Sequence, residues 1–201
     1  SMIWLIVAFI IDAVDGTFAR LFKVTEVLPD FNGKTMDYLI DFCTYALIPC
    51  LFMYQAKGEN GAFILPESEP VRLALISLAL LVSVIYYGKE GMVSDDYAFV
   101  GFPVLWNLVA FYVFFVWDFS PEINGGIILL AAIMHFVPIK YPYPSRRTKY
   151  FWPNIIASVY FGGMSLVLLA IYPTTHPVLF WSANLMFIYF GLMSWLQTFK
   201  K

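Results

Sequence analysis

Four aspartates lie inside the first two apolar stretches of the chain. Asp12 and Asp15 are three residues apart in the first stretch, and Asp37 and Asp41 are four apart in the second. Residues at these spacings are neighbours on one face of a helix. A carboxylate at the centre of a bilayer costs roughly 2.5–3.5 kcal/mol on insertion scales, so acids at such positions indicate a functional site.

Carboxylates that face one another repel, and a divalent cation compensates them better than one arginine does. Oxygen ligands of this kind suit Mg²⁺, Mn²⁺ or Ca²⁺ and do not suit Zn²⁺ or copper. We therefore predict a metal site, with one ion or a pair, at Asp12, Asp15, Asp37 and Asp41. Two ions about 3.5–4 Å apart would favour phosphoryl transfer. The residues alone leave a second class open, a divalent-cation channel or transporter, because paired acids also line ion pathways.

Small residues and one arginine accompany the acids. Gly16 lets another group approach the backbone closely, and Ala19 keeps the same side of the helix free of bulky side chains. Arg20, one turn after Gly16, offers a planar fork for phosphate oxygens. Gly33 precedes Asp37 and is expected to set the turn into the second helix.

The composition predicts the elements that must position these residues. Of the 201 residues, 61% are hydrophobic and 13% are charged, against about 25% charged in soluble domains. Lipid cannot satisfy free backbone groups, so an all-α integral membrane bundle is expected, as one polytopic domain over residues 1–201. The net charge of −2 argues against a nucleic-acid partner. Seven spans are predicted, near 2–22, 36–56, 70–88, 98–117, 124–141, 153–172 and 177–199.

Basic residues predict the orientation of the bundle. If the loop at 23–35 is cytoplasmic, ten of the twelve lysines and arginines fall on the inside, and only Lys57 and Arg72 fall on the outside. The positive-inside rule then places this loop and the C-terminus in the cytoplasm. The acids would lie toward the cytoplasmic face.

The order of these residues resembles the signature of the CDP-alcohol phosphotransferase family. It reads Asp12-x2-Asp15-Gly16-x2-Ala19-Arg20, then twelve residues, then Gly33-x3-Asp37-x3-Asp41. The spacer is longer than is usual in the family, and residues 24–29, 85–87, 95–97 and 101–107 look like the bacterial phosphatidylcholine synthase branch. The likeness covers roughly residues 5–160. The branch normally has one more N-terminal span, so that helix is expected to be missing here.

The resemblance implies a reaction and roles for the motif residues. The branch converts CDP-diacylglycerol and choline to phosphatidylcholine and CMP with Mn²⁺ or Mg²⁺, in the bacterial inner membrane, and the family suggests a homodimer. Asp37 and Asp41 would be catalytic, with Asp41 as general base, and all four aspartates would hold two ions. The CDP-lipid would be bound by Asp12, Asp15, Gly16, Ala19, Arg20 and Gly33. A sibling enzyme that uses serine or another small alcohol stays an alternative.

Choline requires a pocket of its own. A quaternary ammonium donates no strong hydrogen bond and is usually held by aromatic faces with help from carboxylates. Candidates near the cytoplasmic side are Tyr86, Tyr87, Glu90, Asp95, Tyr97, Trp106 and Asn107. Arg146 and Arg147 belong to the densest basic patch, which either anchors to anionic headgroups or binds the donor diphosphate.

Overall fold

The computed structural model of the chain describes residues 2–30, 32–144, 148–174 and 176–199 and is helical over most of its length. Two short strands, β1 (Ala98–Val100) and β2 (Lys140–Pro142), are the only sheet in these ranges. The helices are α1 (Met2–Leu21), α2 (Val24–Val27), α3 (Gly33–Gln55), α4 (Glu69–Gly88), α5 (Trp106–Val116), α6 (Pro121–Met134), α7 (Phe151–Ile171) and α8 (Pro177–Phe199).

The all-α membrane fold expected from the composition is confirmed. Within the described ranges, α1, α3, α4, α7 and α8 are long and apolar enough to cross a bilayer, and α5 and α6 are shorter apolar helices. Many large hydrophobic side chains point outward, including Trp4, Trp152 and Trp181, which are about 70% exposed. An outer surface of this kind requires lipid as its solvent.

The fourth and fifth predicted spans, 98–117 and 124–141, have the wrong boundaries. Helix α5 begins only at Trp106, and α6 already ends at Met134. Gly101 adopts a φ of 88°, which no helix accommodates, and a proline follows at position 103. Pro138 likewise lies inside the fifth predicted span, just beyond the end of α6. Average hydropathy therefore extended both spans too far, because it takes no account of these backbone breaks.

The segments released from these helices pair with each other at one end of the bundle. Strands β1 and β2 are antiparallel, with Ala98 opposite Pro142 and Val100 opposite Lys140. The backbone N–H of Lys140 donates to Thr198 Oγ1 at 2.8 Å, which ties this end to the last turn of α8. The pairing satisfies backbone groups that lipid would leave without partners.

Helix α3 is not uniform. It is α-helical over Gly33–Asp41, π-helical over Phe42–Leu47 and α-helical again over Ile48–Gln55. Pro49 lacks the N–H that would bond the carbonyl of Tyr45 in a continuous α-helix. The chain widens instead, and the N–H of Ile48 bonds the carbonyl of Cys43, five residues back. The π turn directly follows the second aspartate pair.

The packing of the helices places the acidic motif against the core. The second half of α3 packs on α4 and α5, and α4 packs on α6. Helix α1 lies against the π turn of α3 and also contacts α5 and α7, while α7 pairs with α8. The two motif helices are thus adjacent, as the sequence predicted.

We predict that Gly101→Ala strongly destabilises the fold. An added Cβ would overlap the backbone carbonyl of His135, and the positive φ is itself costly for alanine. A strained position of this kind costs about 1–3 kcal/mol before the clash is counted. The melting temperature in detergent should fall by several degrees.

Gly126→Ala is the matched control for this substitution. Gly126 lies in α6, and an added Cβ there has no heavy atom within 4 Å, so the melting temperature should stay the same or rise. Equal melting temperatures for the Gly101 variant and the native chain would contradict the packing described.

Candidate functional site

Three of the four motif aspartates meet between α1 and α3. Asp12, Asp37 and Asp41 each place one carboxylate oxygen within 4.8 Å of the others. Asp12 comes from α1, and the other two lie one turn apart on the α-helical start of α3. The i, i+4 spacing and the contact of α1 with α3 are sufficient to bring these groups together.

The donor set of this cluster fits a hard divalent cation. All three groups are carboxylates, which Mg²⁺, Mn²⁺ and Ca²⁺ prefer. Oδ1 of Asp41 is buried and has no hydrogen-bond partner. A buried carboxylate oxygen without a partner is costly, and a metal bond at this atom would compensate it.

Asp15 lies outside the three-membered cluster of the described residues. Its side chain is exposed on α1, and its charge still repels those of Asp37 and Asp41. The structure therefore brings together three of the four predicted ligands, with the fourth at the rim.

Tyr45 belongs to the site, although the sequence analysis did not single it out. Its hydroxyl donates to Oδ2 of Asp12 at 2.8 Å. The residue is only 6% exposed, and its ring packs edge-on against Phe9 of α1 with centroids 6.3 Å apart. The signal was present in the spacing, because Asp37, Asp41 and Tyr45 follow one another at intervals of four.

The arginine of the motif folds back along α1. Nη1 of Arg20 lies 3.5 Å from the position that a Cβ on Gly16 would take, and Nη2 donates to Thr17 Oγ1 at 3.2 Å. Gly16 thus leaves room for the guanidinium near the level of Asp15. Arg20 and Ala19 are both exposed and accessible to a ligand.

Gly33 is the first residue of α3 and is exposed. The side chain of the preceding Asn32 accepts a hydrogen bond from the N–H of Thr35 at 3.1 Å, which caps the helix. This cap fixes where α3 begins and hence the positions of Asp37 and Asp41 along the helix axis. The loop before it contains the short helix α2, which was not predicted.

Two tyrosines stand beside the acids. The rings of Tyr38 and Tyr87 are 5.8 Å apart and tilted by 37°. Both residues are half-buried, and Tyr87 experiences the charges of Asp41, Asp12 and Asp37. The ring of Tyr38 already receives a cation, because Nζ of Lys34 lies 5.6 Å from its centroid. Tyr87 was a predicted choline ligand, and Tyr38 was not.

Two other predicted choline residues, Trp106 and Tyr86, are packed in the core. Trp106 is fully buried, and its indole N–H donates to Ser83 Oγ at 2.7 Å. Its ring stacks on His135 at 5.4 Å, and Tyr86 meets the same imidazole edge-on at 5.6 Å. Asn107, at the start of α5, accepts from the N–H of Leu108 at 3.0 Å.

Three of the remaining candidates, Glu90, Asp95 and Tyr97, lie in the segment between α4 and β1. Glu90 and Asp95 are exposed in the loop between α4 and β1. The neighbouring Asp96 pairs with Nζ of Lys140 at 2.7 Å, and this ammonium holds the pKa of the Asp96 carboxyl below its usual value. Tyr97 is exposed with a φ of 57°. Arg146 and Arg147 lie outside the described residues.

Fold and site together define a multi-pass helical membrane protein with a carboxylate cluster between two of its spans. No protein-family model matches the chain. The chain is, however, similar to three curated bacterial proteins, each named phosphatidylcholine synthase. It is 34% identical to the protein of Agrobacterium fabrum over 174 residues, which are 85% of this chain and 68% of the relative. For Pseudomonas aeruginosa the identity is 33% over 177 residues, 88% and 71% of the two chains.

The third relative, from Legionella bozemanae, matches almost end to end. It is 30% identical over 204 residues, which cover 98% of this chain and 90% of that protein. The chain belongs to the phosphatidylcholine synthase family. The family resemblance drawn from the aspartate motif is therefore confirmed, and the chain is a transferase of phospholipid biosynthesis.

Proposed function

We propose that this protein transfers the phosphatidyl group of CDP-diacylglycerol to choline and releases CMP. The observation that carries the proposal is the convergence of Asp12, Asp37 and Asp41, with the buried and unpartnered Oδ1 of Asp41, between two membrane helices. The names of the bacterial relatives supply the substrate class.

Asp12, Asp37 and Asp41 would hold Mn²⁺ or Mg²⁺, and Asp15 at the rim would complete the ligands of a pair of ions. When bound, the metal would neutralise the diphosphate and stabilise the departing CMP. Without a cation, the mutual repulsion of these carboxylates would oppose the approach of an anionic donor.

The donor diphosphate would lie along the exposed face of α1. Arg20 would bind phosphate oxygens through its guanidinium, and the missing side chain at Gly16 would let the nucleotide approach the helix. Ala19, on the same exposed side, leaves this approach open, and Gly33 shapes the facing loop. The acyl chains of the donor would stay in the surrounding lipid.

Asp41 is assigned the role of general base. It would take the proton of the choline hydroxyl while the choline oxygen bonds to the β-phosphorus and the bond from that phosphorus to the CMP oxygen breaks. Direct attack is favoured, because segments 8–20 and 33–45 contain no serine, and Cys43, two residues after Asp41, lies on another face of the helix. Asp37, one turn earlier, would keep the acceptor oxygen close to this base.

Tyr87 and Tyr38 would form the wall that receives the trimethylammonium group. Their rings offer π faces next to the acids, and a cation is most strongly attracted to such a face when water is excluded. A phosphorylated acceptor would gain little from such a wall, and the carboxylate of serine would be repelled by the acids beside it. This contrast favours choline over the acceptors of sibling enzymes.

We place the protein in the bacterial inner membrane with the acids toward the cytoplasm, where CDP-lipids and choline are both accessible. The bias of ten basic residues against two supports this orientation. The homodimer expected from the family resemblance stays a prediction.

A CMP-release assay with a panel of alcohols tests the proposed function. In nanodiscs with CDP-diacylglycerol and Mn²⁺, choline should release CMP and yield phosphatidylcholine, whereas serine, glycerol phosphate and inositol phosphate should not. EDTA should abolish the activity, and added Mn²⁺ should restore it. CMP release with serine alone would identify a sibling enzyme, and Mn²⁺ flux into liposomes without CMP release would identify a transporter.

Asp41→Asn should lower kcat by about 10²–10⁴-fold, because asparagine cannot accept the proton of the choline hydroxyl. Turnover of labelled choline is the measurement. Asp118→Asn, in an exposed loop between α5 and α6, is the charge-matched control and should retain native turnover. Native activity in the Asp41 variant would refute its role as the base.

Tyr87→Leu should raise the KM for choline by roughly threefold to thirtyfold, which is the range expected for one lost cation–π contact. The KM for CDP-diacylglycerol should change little. Trp106→Phe is the comparison, because its buried position predicts a lower melting temperature rather than a higher choline KM. The acceptor wall is misassigned if Tyr87→Leu raises both substrate KM values equally.

A further inference from the structure

A part-buried hydrogen bond joins the π turn of α3 to the acidic cluster. The hydroxyl of Tyr45 donates to Oδ2 of Asp12 at 2.8 Å, and Tyr45 is 6% exposed. Among the described residues, this is the hydrogen bond that a side chain outside the cluster donates to one of the three carboxylates. It crosses from α3 to α1, so it couples the two motif helices at the site.

The bond restricts the orientation of the Asp12 carboxylate. Oδ2 is occupied by the phenol, which can only donate to it, and the rotation of the carboxylate about its χ2 is restricted. The carboxylate is thereby kept in one orientation toward Asp37 and Asp41. Partners of this kind orient a metal ligand and raise its basicity, and their loss typically costs 10- to 100-fold in metal affinity or activity.

The fold holds Tyr45 in place from two sides. Its ring packs edge-on against Phe9, one turn before Asp12 on α1. Its backbone lies within the π turn that precedes Pro49, so the helical register that presents the phenol depends on that proline. Local π turns of this type are frequent at functional sites.

We propose that Tyr45 is a positioning residue that holds Asp12 in the orientation needed to bind divalent metal. This inference rests on the proposed function, because it concerns the same cluster. Tyr45 touches neither substrate nor the reacting phosphorus in this role. It acts through Asp12, by making one orientation of the carboxylate persist before the metal arrives.

The second π turn found in the described residues, in α5, supplies a matched control. Tyr112, in α5, is 3% exposed, and its hydroxyl donates to the backbone carbonyl of Ala183 at 2.7 Å. Tyr112→Phe removes an equally buried hydroxyl with an equally short bond. Tyr112 lies at the packing contact between α5 and α8. The variant therefore measures the effect of losing a buried hydroxyl that does not bind a carboxylate.

The test is Mn²⁺ binding to Tyr45→Phe in nanodiscs without CDP-lipid, with free Mn²⁺ measured by electron paramagnetic resonance. Phenylalanine keeps the packing on Phe9 and removes only the donor. We expect the dissociation constant for Mn²⁺ to rise about tenfold. Tyr112→Phe should bind Mn²⁺ as the native chain does.

Thermal unfolding with and without Mn²⁺ separates positioning from folding. The metal raises the melting temperature of any protein whose folded state alone binds it. At one subsaturating Mn²⁺ concentration, the rise should be smaller in Tyr45→Phe than in the native chain and unchanged in Tyr112→Phe. A Tyr45 variant with native Mn²⁺ affinity and a native metal-dependent rise would overturn the inference.

The inference and the proposed function fail in different ways. If the native chain binds no Mn²⁺ and releases no CMP, the metal-dependent transferase proposal itself is wrong. If the native chain does both and Tyr45→Phe matches it in affinity, only the role of Tyr45 is wrong. If both phenylalanine variants lose Mn²⁺ affinity equally, the loss is structural and the positioning role is refuted.

Discussion

Repulsion among carboxylates within a membrane is the constraint on which the structure of the site depends. Unit charges 4–5 Å apart interact by roughly 3–4 kcal/mol at an effective dielectric constant near 20. Asp12, Asp37 and Asp41 approach one another to within that range. Such an arrangement persists only where the surrounding fold holds the helices together, and the proposed metal would relieve the repulsion. The packing of α1 on the π turn of α3, on α5 and on α7 holds the helices together.

The motif was predictable because helical periodicity and insertion cost act on single residues. The i, i+3 and i, i+4 spacings of the aspartates determine which face they share, and the price of burying charge marks them as functional. The structure brings Asp12, Asp37 and Asp41 together as these rules require. Asp15 stays at the rim, because a residue three positions from Asp12 shares its face only approximately.

Features that depend on backbone breaks were less predictable. The π turn of α3 follows from Pro49, but a proline in an apolar stretch can also produce a simple kink, and hydropathy does not distinguish the two. Tyr45 was missed for the same reason, since its place depends on that turn. Gly101 ended a predicted span because its φ of 88° and its contact with His135 are tertiary properties.

Burial decides which aromatic residues can serve the acceptor. Aromatic residues make up 19% of the chain, so the sequence offered many candidates of equal chemistry. Trp106 is fully buried against Ser83 and His135, so a quaternary ammonium has no access to its ring. Its indole instead stiffens the contact between α4 and α5, on which the second half of α3 rests.

Tyr38 and Tyr87 are half-buried, in contrast to Trp106, so a ligand can reach their rings. One ring belongs to the motif helix α3, and the other belongs to α4, so the pair adjoins both the carboxylates and the exposed end of the bundle. A cation held there is attracted by the rings and by any negative charge that the metal leaves uncompensated. The proposed acceptor wall and the proposed metal site would thus both depend on the first turns of α3. The Asn32 cap sets where these turns begin, and the helical register changes at the π turn before Pro49.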